Sequence, residues 1–248
     1  MTSSFNQLFL MNFRQLYRNP TGIFFTLVMP AIIYAALSVL PIGAVLGGTV
    51  GYSQYVLPGI IAMTIMQGGI YGLAYWMIDL KSKGVIKRFL ATPLSQIELV
   101  LSVLLSRIIV AIGQAVFLTL VGVIFFGAKV GISALLVIPF AILGAGIFLL
   151  VGLLISMFAD SYEAAAPITT AIGLPLTFLG NIFFSVDSLP DVLRYVANIL
   201  PITYLADAIR SLFLTSQIPA RVWTDAGILL LWFIVILGLT LWRFRLKE

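Results

Sequence analysis

Six apolar stretches, each about as long as a bilayer is thick, are separated along this chain by shorter polar segments. A helix needs about 20 mostly apolar residues to cross the hydrocarbon core. The stretches predict helical spans at residues 21–40, 55–78, 99–126, 133–158, 164–184 and 223–242. Charged residues make up 9% of the chain, whereas average soluble domains carry about 25%. The pattern therefore predicts an all-α integral membrane protein with a single transmembrane domain over residues 1–248.

Two amphipathic regions lack the length and the apolarity of a span. Residues 2–18 carry phenylalanines on one helical face and arginines on the other, which predicts a helix lying in the inner interface. Residues 185–222 contain two shorter amphipathic stretches with charges on one face. We expect these to form two extracytoplasmic helices that lie on, or dip into, the outer leaflet.

Basic residues are distributed unequally between the two sides of the predicted membrane. With the N-terminus inside, the inner segments hold Arg14, Arg18, Lys81, Lys83, Lys87, Arg88, Arg243, Arg245 and Lys247, and the outer segments hold Lys129, Arg194, Arg210 and Arg221. Lys and Arg concentrate in cytoplasmic loops. The sequence therefore predicts a multi-pass protein of the plasma (inner) membrane with both termini in the cytoplasm.

The polar segment 79–95 combines positive charge with an apolar pattern. Its basic and apolar residues are interleaved at helical spacing: Lys81, Lys83, Val85, Ile86, Lys87, Arg88, Phe89 and Leu90. A segment that only sets membrane topology needs the charges but not the apolar residues. A segment that docks into the pocket of a partner protein uses both. We interpret the segment as a cytoplasmic docking loop, with a purely topological signal as the alternative.

Residue types that many active sites require are absent from the sequence. It contains neither histidine nor cysteine, which excludes zinc clusters and thiol chemistry. We predict no catalytic residue and no metal site. No G-x-x-x-x-G-K-[ST] motif is present, so the chain holds no ATP by a phosphate-binding loop. The net charge of +5 is placed asymmetrically, which indicates membrane topology rather than nucleic-acid binding.

Three functional classes compete: a permease driven by a separate ATPase, an ion-coupled carrier or channel that works alone, and a membrane enzyme or scaffold. Ion-coupled carriers use carboxylates inside their spans. We expect no carboxylate in a span interior, which favours the first class. Arg107 is left open between a snorkelling arginine and a ligand contact.

The layout and one short motif resemble a known family. The run Leu90-Ala91-Thr92-Pro93-Leu94-Ser95 follows the basic loop after the second span. Together with the interfacial N-terminal helix, six spans and two short outer helices, this run resembles the permease subunit of type-2 ABC exporters of the daunorubicin-resistance and nodulation-export kind. The likeness covers the whole chain.

The resemblance implies partners, a cargo and functional residues. It implies a second permease copy or homologue, two ATPase subunits that bind ATP and Mg²⁺, and export of a lipophilic or amphipathic drug, lipid or glycan-lipid. The implied coupling helix comprises Lys83, Gly84, Val85, Ile86, Lys87, Arg88, Phe89 and Leu90. The implied substrate pathway between spans two and five is lined by Met63, Met66, Gln67, Tyr71, Thr177, Phe178 and Asn181.

The coupling loop departs from the family pattern in its charge. Family members often carry Arg-Glu before the glycine and a glutamate after it, whereas this chain has Ser82-Lys83 and Lys87. We therefore expect the groove of the partner ATPase to be more acidic than is usual in the family.

The predicted topology is testable because the chain contains no cysteine. Single cysteines introduced as Ser3→Cys and Lys247→Cys should resist a membrane-impermeant thiol reagent in intact cells and react after the membrane is opened. Labelling of either position from outside would contradict six spans with cytoplasmic termini.

Overall fold

The computed structural model of this chain describes residues 6–7, 9–11, 13–14, 18–40, 51–85, 96–215 and 218–245. Throughout these ranges the regular structure is helical, and they contain no strand. In chain order the α-helices are α1 Pro20–Val39, α2 Tyr52–Ser82, α3 Gln96–Phe126, α4 Val137–Phe158, α5 Tyr162–Leu179, α6 Asp191–Ala197, α7 Pro201–Leu214 and α8 Ala220–Arg245. The all-α membrane architecture predicted from the apolar stretches is confirmed.

The first span is interrupted at the proline that the sequence places inside it. α1 contains a π-helical segment, Phe24–Val28, which ends two residues before Pro30. Proline lacks the N–H that the carbonyl four residues earlier would accept, which here belongs to Thr26. Gln114 of α3 supplies a replacement, because its Nε2 donates to the Thr26 carbonyl over 2.7 Å. A neighbouring helix thus satisfies the backbone group that the proline leaves free, as the membrane interior requires.

The core is built around a close contact between α2 and α4. A Cβ atom at Gly69 would lie 2.6 Å from Phe148 Cβ, and one at Gly152 would lie 2.6 Å from the Gly69 carbonyl oxygen. Neither position has room for a side chain, so the two backbones meet directly, as they do at small-residue interfaces between membrane helices. α2 is the most buried of the spans, and α4 makes its most extensive contact.

Length and apolarity alone identify five spans among the described helices, or six if the pair α6–α7, bent by 81°, is counted as one. α5 is not among the five, yet its contacts show that it crosses. Tyr162 Oη, at its first residue, donates to Asp79 Oδ1 over 3.2 Å. Asn181, just beyond its end, accepts from Tyr55 Oη over 2.8 Å. Asp79 and Tyr55 lie about 36 Å apart along α2, so α5 runs beside α2 from near one end to near the other.

The two short helices predicted between the last two crossings are present as α6 and α7. α7 starts inside the bundle, because Trp232 Nε1 donates to the Ile199 carbonyl over 3.0 Å, and Trp232 lies about 18 Å along α8 from Ala220. It ends near the start of α4, where Ser133 Oγ donates to the Leu212 carbonyl over 2.7 Å. α7 therefore rises as a half-helix from the interior to the predicted outer face.

Several predicted helix ends differ in the structure, and two of the differences have a clear local reason. α2 continues through Ser82 into the predicted loop, and Lys83 folds back over the last turn to pair with Asp79 at 2.7 Å. α5 stops at Leu179, before the predicted end at residue 184. There Asn181 adopts φ 55°, a left-handed conformation that asparagine tolerates and that ends a helix.

The structure describes part of the interfacial helix predicted at residues 2–18. Its described residues 6–7, 9–11 and 13–14 are helical, and the rings of Phe9 and Phe13 stack with centroids 6.2 Å apart. These positions agree with a helix that places phenylalanines on one face.

Candidate functional site

A polar network joins the end of α2 that leads into segment 79–95 to the turn between α4 and α5. Lys81 Nζ donates to the Ser156 carbonyl and to Asp160 Oδ1, the latter over 3.2 Å. The Lys81 side chain is 25% exposed and the Asp160 side chain 88%. The exposed ion pair contributes little, so the bond to the last turn of α4 is the stronger attachment.

A second set of contacts at the same end holds α5. Asp79 pairs with Lys83 Nζ at 2.7 Å and accepts from Tyr162 Oη at 3.2 Å. The hydrogen bond to Asp79 raises the pKa of Lys83 above its ordinary value, which favours the charged form of this lysine. One turn further in, Tyr75 Oη and Thr169 Oγ1 are 3.0 Å apart. The base of segment 79–95 is thereby attached to both α4 and α5.

The predicted coupling helix is described only at its start. Lys83 directly follows the last turn of α2, and Gly84 adopts φ 64°, which turns the chain away from the helix axis. Val85 is half-buried. The rest of the predicted helix lies outside the described residues: Ile86, Lys87, Arg88, Phe89 and Leu90. Its assignment stays a prediction.

A buried ionic network occupies the opposite end of α2. Arg210 of α7 donates from Nη1 to Asp207 Oδ1 over 3.1 Å and from Nη2 to the Asn181 carbonyl over 2.6 Å. Its Nε donates to the Tyr55 carbonyl over 3.2 Å, and its guanidinium lies 4.0 Å from the centre of the Tyr55 ring. Arg221 at the start of α8 completes the network by pairing with Asp207 Oδ2 at 2.7 Å.

This network corrects the sequence interpretation of α7 and α8. The amphipathic pattern places Asp207 and Arg210 on a face opposite the apolar one, in an outer segment, and the structure buries them instead. The sequence signal is their spacing of three residues, which places opposite charges together on a helix. Asp225 is a further correction, because it lies within α8 and is 2% exposed. A buried carboxylate does therefore occur near the outer end of the last span.

The predicted pathway residues of α2 fall into two groups. Met63 and Met66 are buried in the core, on the part of α2 that packs within the chain. Gln67 and Tyr71 are half-buried and line a cavity of about 250 Å³. A Cβ atom at Gly173 would overlap the Tyr71 hydroxyl, so this ring also packs closely against α5.

The predicted pathway residues on α5 and just after it also differ in how far they are buried. Thr177 is half-buried, and its hydroxyl donates to the Gly173 carbonyl over 2.8 Å. Phe178 is 54% exposed, with its ring 6.4 Å from that of Phe183. Asn181 is buried, and its side-chain amide donates to Asp207 while its Oδ1 accepts from Tyr55. The Asn181 side chain thus takes part in the network, and a pathway role for the seven residues stays a prediction.

Comparison with known proteins finds similarity over most of the chain. The profile of the ABC-2 type transporter family matches residues 3–214. The inner membrane transport permease YadH of Escherichia coli K12 is 25% identical over 222 residues, which cover 87% of this chain and 85% of that protein.

Two further relatives have names that mention drugs. The probable multidrug ABC transporter permease YbhS of Escherichia coli K12 is 28% identical over 194 residues, or 75% of this chain and 50% of that protein. The daunorubicin resistance ABC transporter permease protein DrrB1 of Streptomyces coeruleorubidus is 27% identical over 199 residues, or 78% and 69%.

The buried network predicts a large stability loss for Arg210→Met. Removing one partner of a buried charge pair costs about 3–5 kcal/mol, which lowers the unfolding temperature by several degrees in a chain of this size. The matched control is Lys129→Met, because Lys129 is exposed on an outer turn and such substitutions stay within about 0.5 kcal/mol. Thermal unfolding of both purified variants in detergent measures the difference. Equal unfolding temperatures would show that Arg210 does not hold α7 in place.

Proposed function

The chain belongs to the ABC-2 type transporter family, and from this premise we propose that it is the membrane permease of an ATP-driven exporter. The family match over residues 3–214 carries the proposal. Relatives along most of the chain are named as permeases. The chain is therefore a transport subunit of the inner membrane.

We propose that ATP is hydrolysed in a separate subunit. The sequence contains no phosphate-binding loop of the G-x-x-x-x-G-K-[ST] type. Two ATPase subunits, each binding ATP with Mg²⁺, would dock on two permeases, the second being another copy or a homologue. The 79–95 segment is the proposed docking site, with Phe89 and Ile86 as its apolar anchors and Lys87 as a contact for an acidic rim.

The contacts at the base of this segment support a role in transmitting force. Lys81 attaches α2 to the last turn of α4, and Asp79 attaches it to the first residue of α5. A displacement of the segment would therefore move α2, α4 and α5 together rather than bend one helix. We propose this joint movement as the response to ATPase docking and hydrolysis.

The proposed cargo is a lipophilic or amphipathic molecule moved outward. The membrane-facing and interior surfaces of the spans are largely apolar, and multidrug and daunorubicin-resistance functions appear in the names of relatives. An ion-coupled carrier that works without an ATPase is the alternative, and buried Asp225 is the observation in its favour. Co-purification of an ATPase subunit with the chain separates the two.

Truncation of the proposed anchor tests the docking role. Phe89→Ala should weaken binding of the ATPase at least about tenfold, because an aromatic side chain in a partner pocket contributes about 2 kcal/mol or more to binding. Ile86→Asp should act in the same direction by placing a charge in an apolar groove. The measurements are ATPase co-purification and export in the same membranes, with amounts of folded permease matched.

A charge reversal supplies the control for that experiment. Lys87→Glu should weaken docking of the ATPase in a salt-dependent way. Lys247→Glu is the same charge reversal outside segment 79–95, and it should leave docking intact. If Phe89→Ala and Lys87→Glu both leave co-purification and export unchanged, the segment is a topology signal and the docking proposal fails.

Changes in export selectivity test the proposed pathway. Gln67→Leu and Phe178→Ala should each alter the ranking of exported compounds by several-fold and leave assembly intact, because both side chains are accessible and neither holds the core. Phe125→Ala is the matched control, since Phe125 is 75% exposed on α3. A selectivity profile that matches the control for both variants would remove these residues from the pathway.

A further inference from the structure

Arg107 places a positive charge within the predicted third span, toward its inner end. It lies about 17 Å along α3 from Gln96, and its side chain is half-buried. Its guanidinium lies beside Gly72 of α2, where a Cβ atom would be 3.1 Å from Nη1. Because Gly72 has no side chain, the space beside it is filled by the arginine.

Among the residues that the structure describes, Arg107 has no hydrogen-bond acceptor and no acidic partner. A charged side chain within a membrane span is costly unless it pairs or faces a polar cavity. The nearest acid on α2 in the direction of the inner end is Asp79, which lies about 10 Å from Gly72 along the helix. Asp79 is itself occupied by Lys83 and Tyr162.

Arg107 faces a cavity of about 770 Å³ between α1, α2, α3 and the start of α5. This volume falls in the range of small-molecule pockets, about 300–1,000 Å³. The cavity extends from Asp79 and Tyr162 at the predicted inner end to Gln114 in the interior. Ile109, which is 40% exposed, is part of its wall. The cavity therefore borders both the predicted inner face and the exposed outer surface of α3.

Two neighbouring polar groups of the cavity, Ser106 and Gln114, are already engaged. Ser106 Oγ donates to the Val103 carbonyl over 2.8 Å, and Gln114 Nε2 donates to the Thr26 carbonyl over 2.7 Å. Much of the remaining wall is apolar or aromatic, including Trp76 and Phe117. Within the described part of this wall, Arg107 supplies the positive charge and the strongest donors that an incoming molecule can meet.

From this arrangement we infer that the cavity binds an anionic amphiphile, with a phosphate or carboxylate group on Arg107 and an alkyl chain against the aromatic wall. Guanidinium groups bind such anions through paired, charge-assisted hydrogen bonds. A free phosphate would satisfy the arginine but leave the apolar wall empty, whereas an inner-leaflet lipid satisfies both. The site lies within one chain and depends on neither an ATPase nor a second permease.

Lipid binding to the purified chain tests the inference, with phosphatidylglycerol as the anionic probe and phosphatidylcholine as the zwitterionic one. Native mass spectrometry from detergent should show phosphatidylglycerol bound to the unaltered chain. Arg107→Met should weaken phosphatidylglycerol binding at least about tenfold, because one charge-assisted contact is lost. Arg243→Met is the matched control, because Arg243 is a cation at the same membrane face, 4.9 Å from the Phe158 ring, and does not line the cavity.

Two further variants and one competitor keep the test decisive. Gly72→Leu should also weaken phosphatidylglycerol binding, because the leucine side chain fills the space beside an unchanged arginine. Arg107→Lys should retain part of the binding. Excess inorganic phosphate should not displace the lipid. The inference fails if Arg107→Met and Arg243→Met bind phosphatidylglycerol equally, if phosphatidylcholine binds as tightly, or if phosphate alone displaces the lipid. None of these outcomes bears on ATPase docking.

Discussion

Direct backbone contact between α2 and α4 is the constraint on which the other elements depend. Gly69 and Gly152 exclude side chains from the crossing point, and this lets dispersion forces act over the length of both helices. Lipid tails are as apolar as the helix surfaces, so close packing has to supply what the hydrophobic effect supplies in water. α5, α7 and α8 then pack on this pair, and their positions follow from it.

Polar groups stabilise this bundle mainly at the ends of α2, where they connect elements distant in sequence. Lys81 and Asp79 hold the turn between α4 and α5 at one end, and Arg210 holds α7 and the turn after α5 at the other. Arg210 can stay charged because two backbone carbonyls, a carboxylate and the Tyr55 ring surround it. Buried charges that are fully partnered in this way fix the geometry more than they add net stability.

The sequence predicts the parts of this fold that depend on the length of apolar stretches. It does not predict the parts that depend on contacts between elements distant in the chain. The spans and the two short outer helices follow from periodicity and length, which the bilayer constrains. The burial of Asp207 does not follow, because its partners Arg221 and Asn181 come from other elements and the amphipathic pattern alone places charges toward solvent. Gly72 shows the same limit, since a small residue predicts proximity without saying that Arg107 is the neighbour.

The distribution of contacts also determines which movement is cheapest. Sliding α2 alone would separate Gly69 from Gly152 and break the polar contacts at both of its ends. Moving α2, α4, α5 and α7 as one body keeps all of these contacts. The boundary toward α1 and α3 contains the 770 Å³ cavity over part of its length. A molecule bound beside Arg107 would contact both sides of this boundary, and it would therefore change the cost of relative movement across it directly.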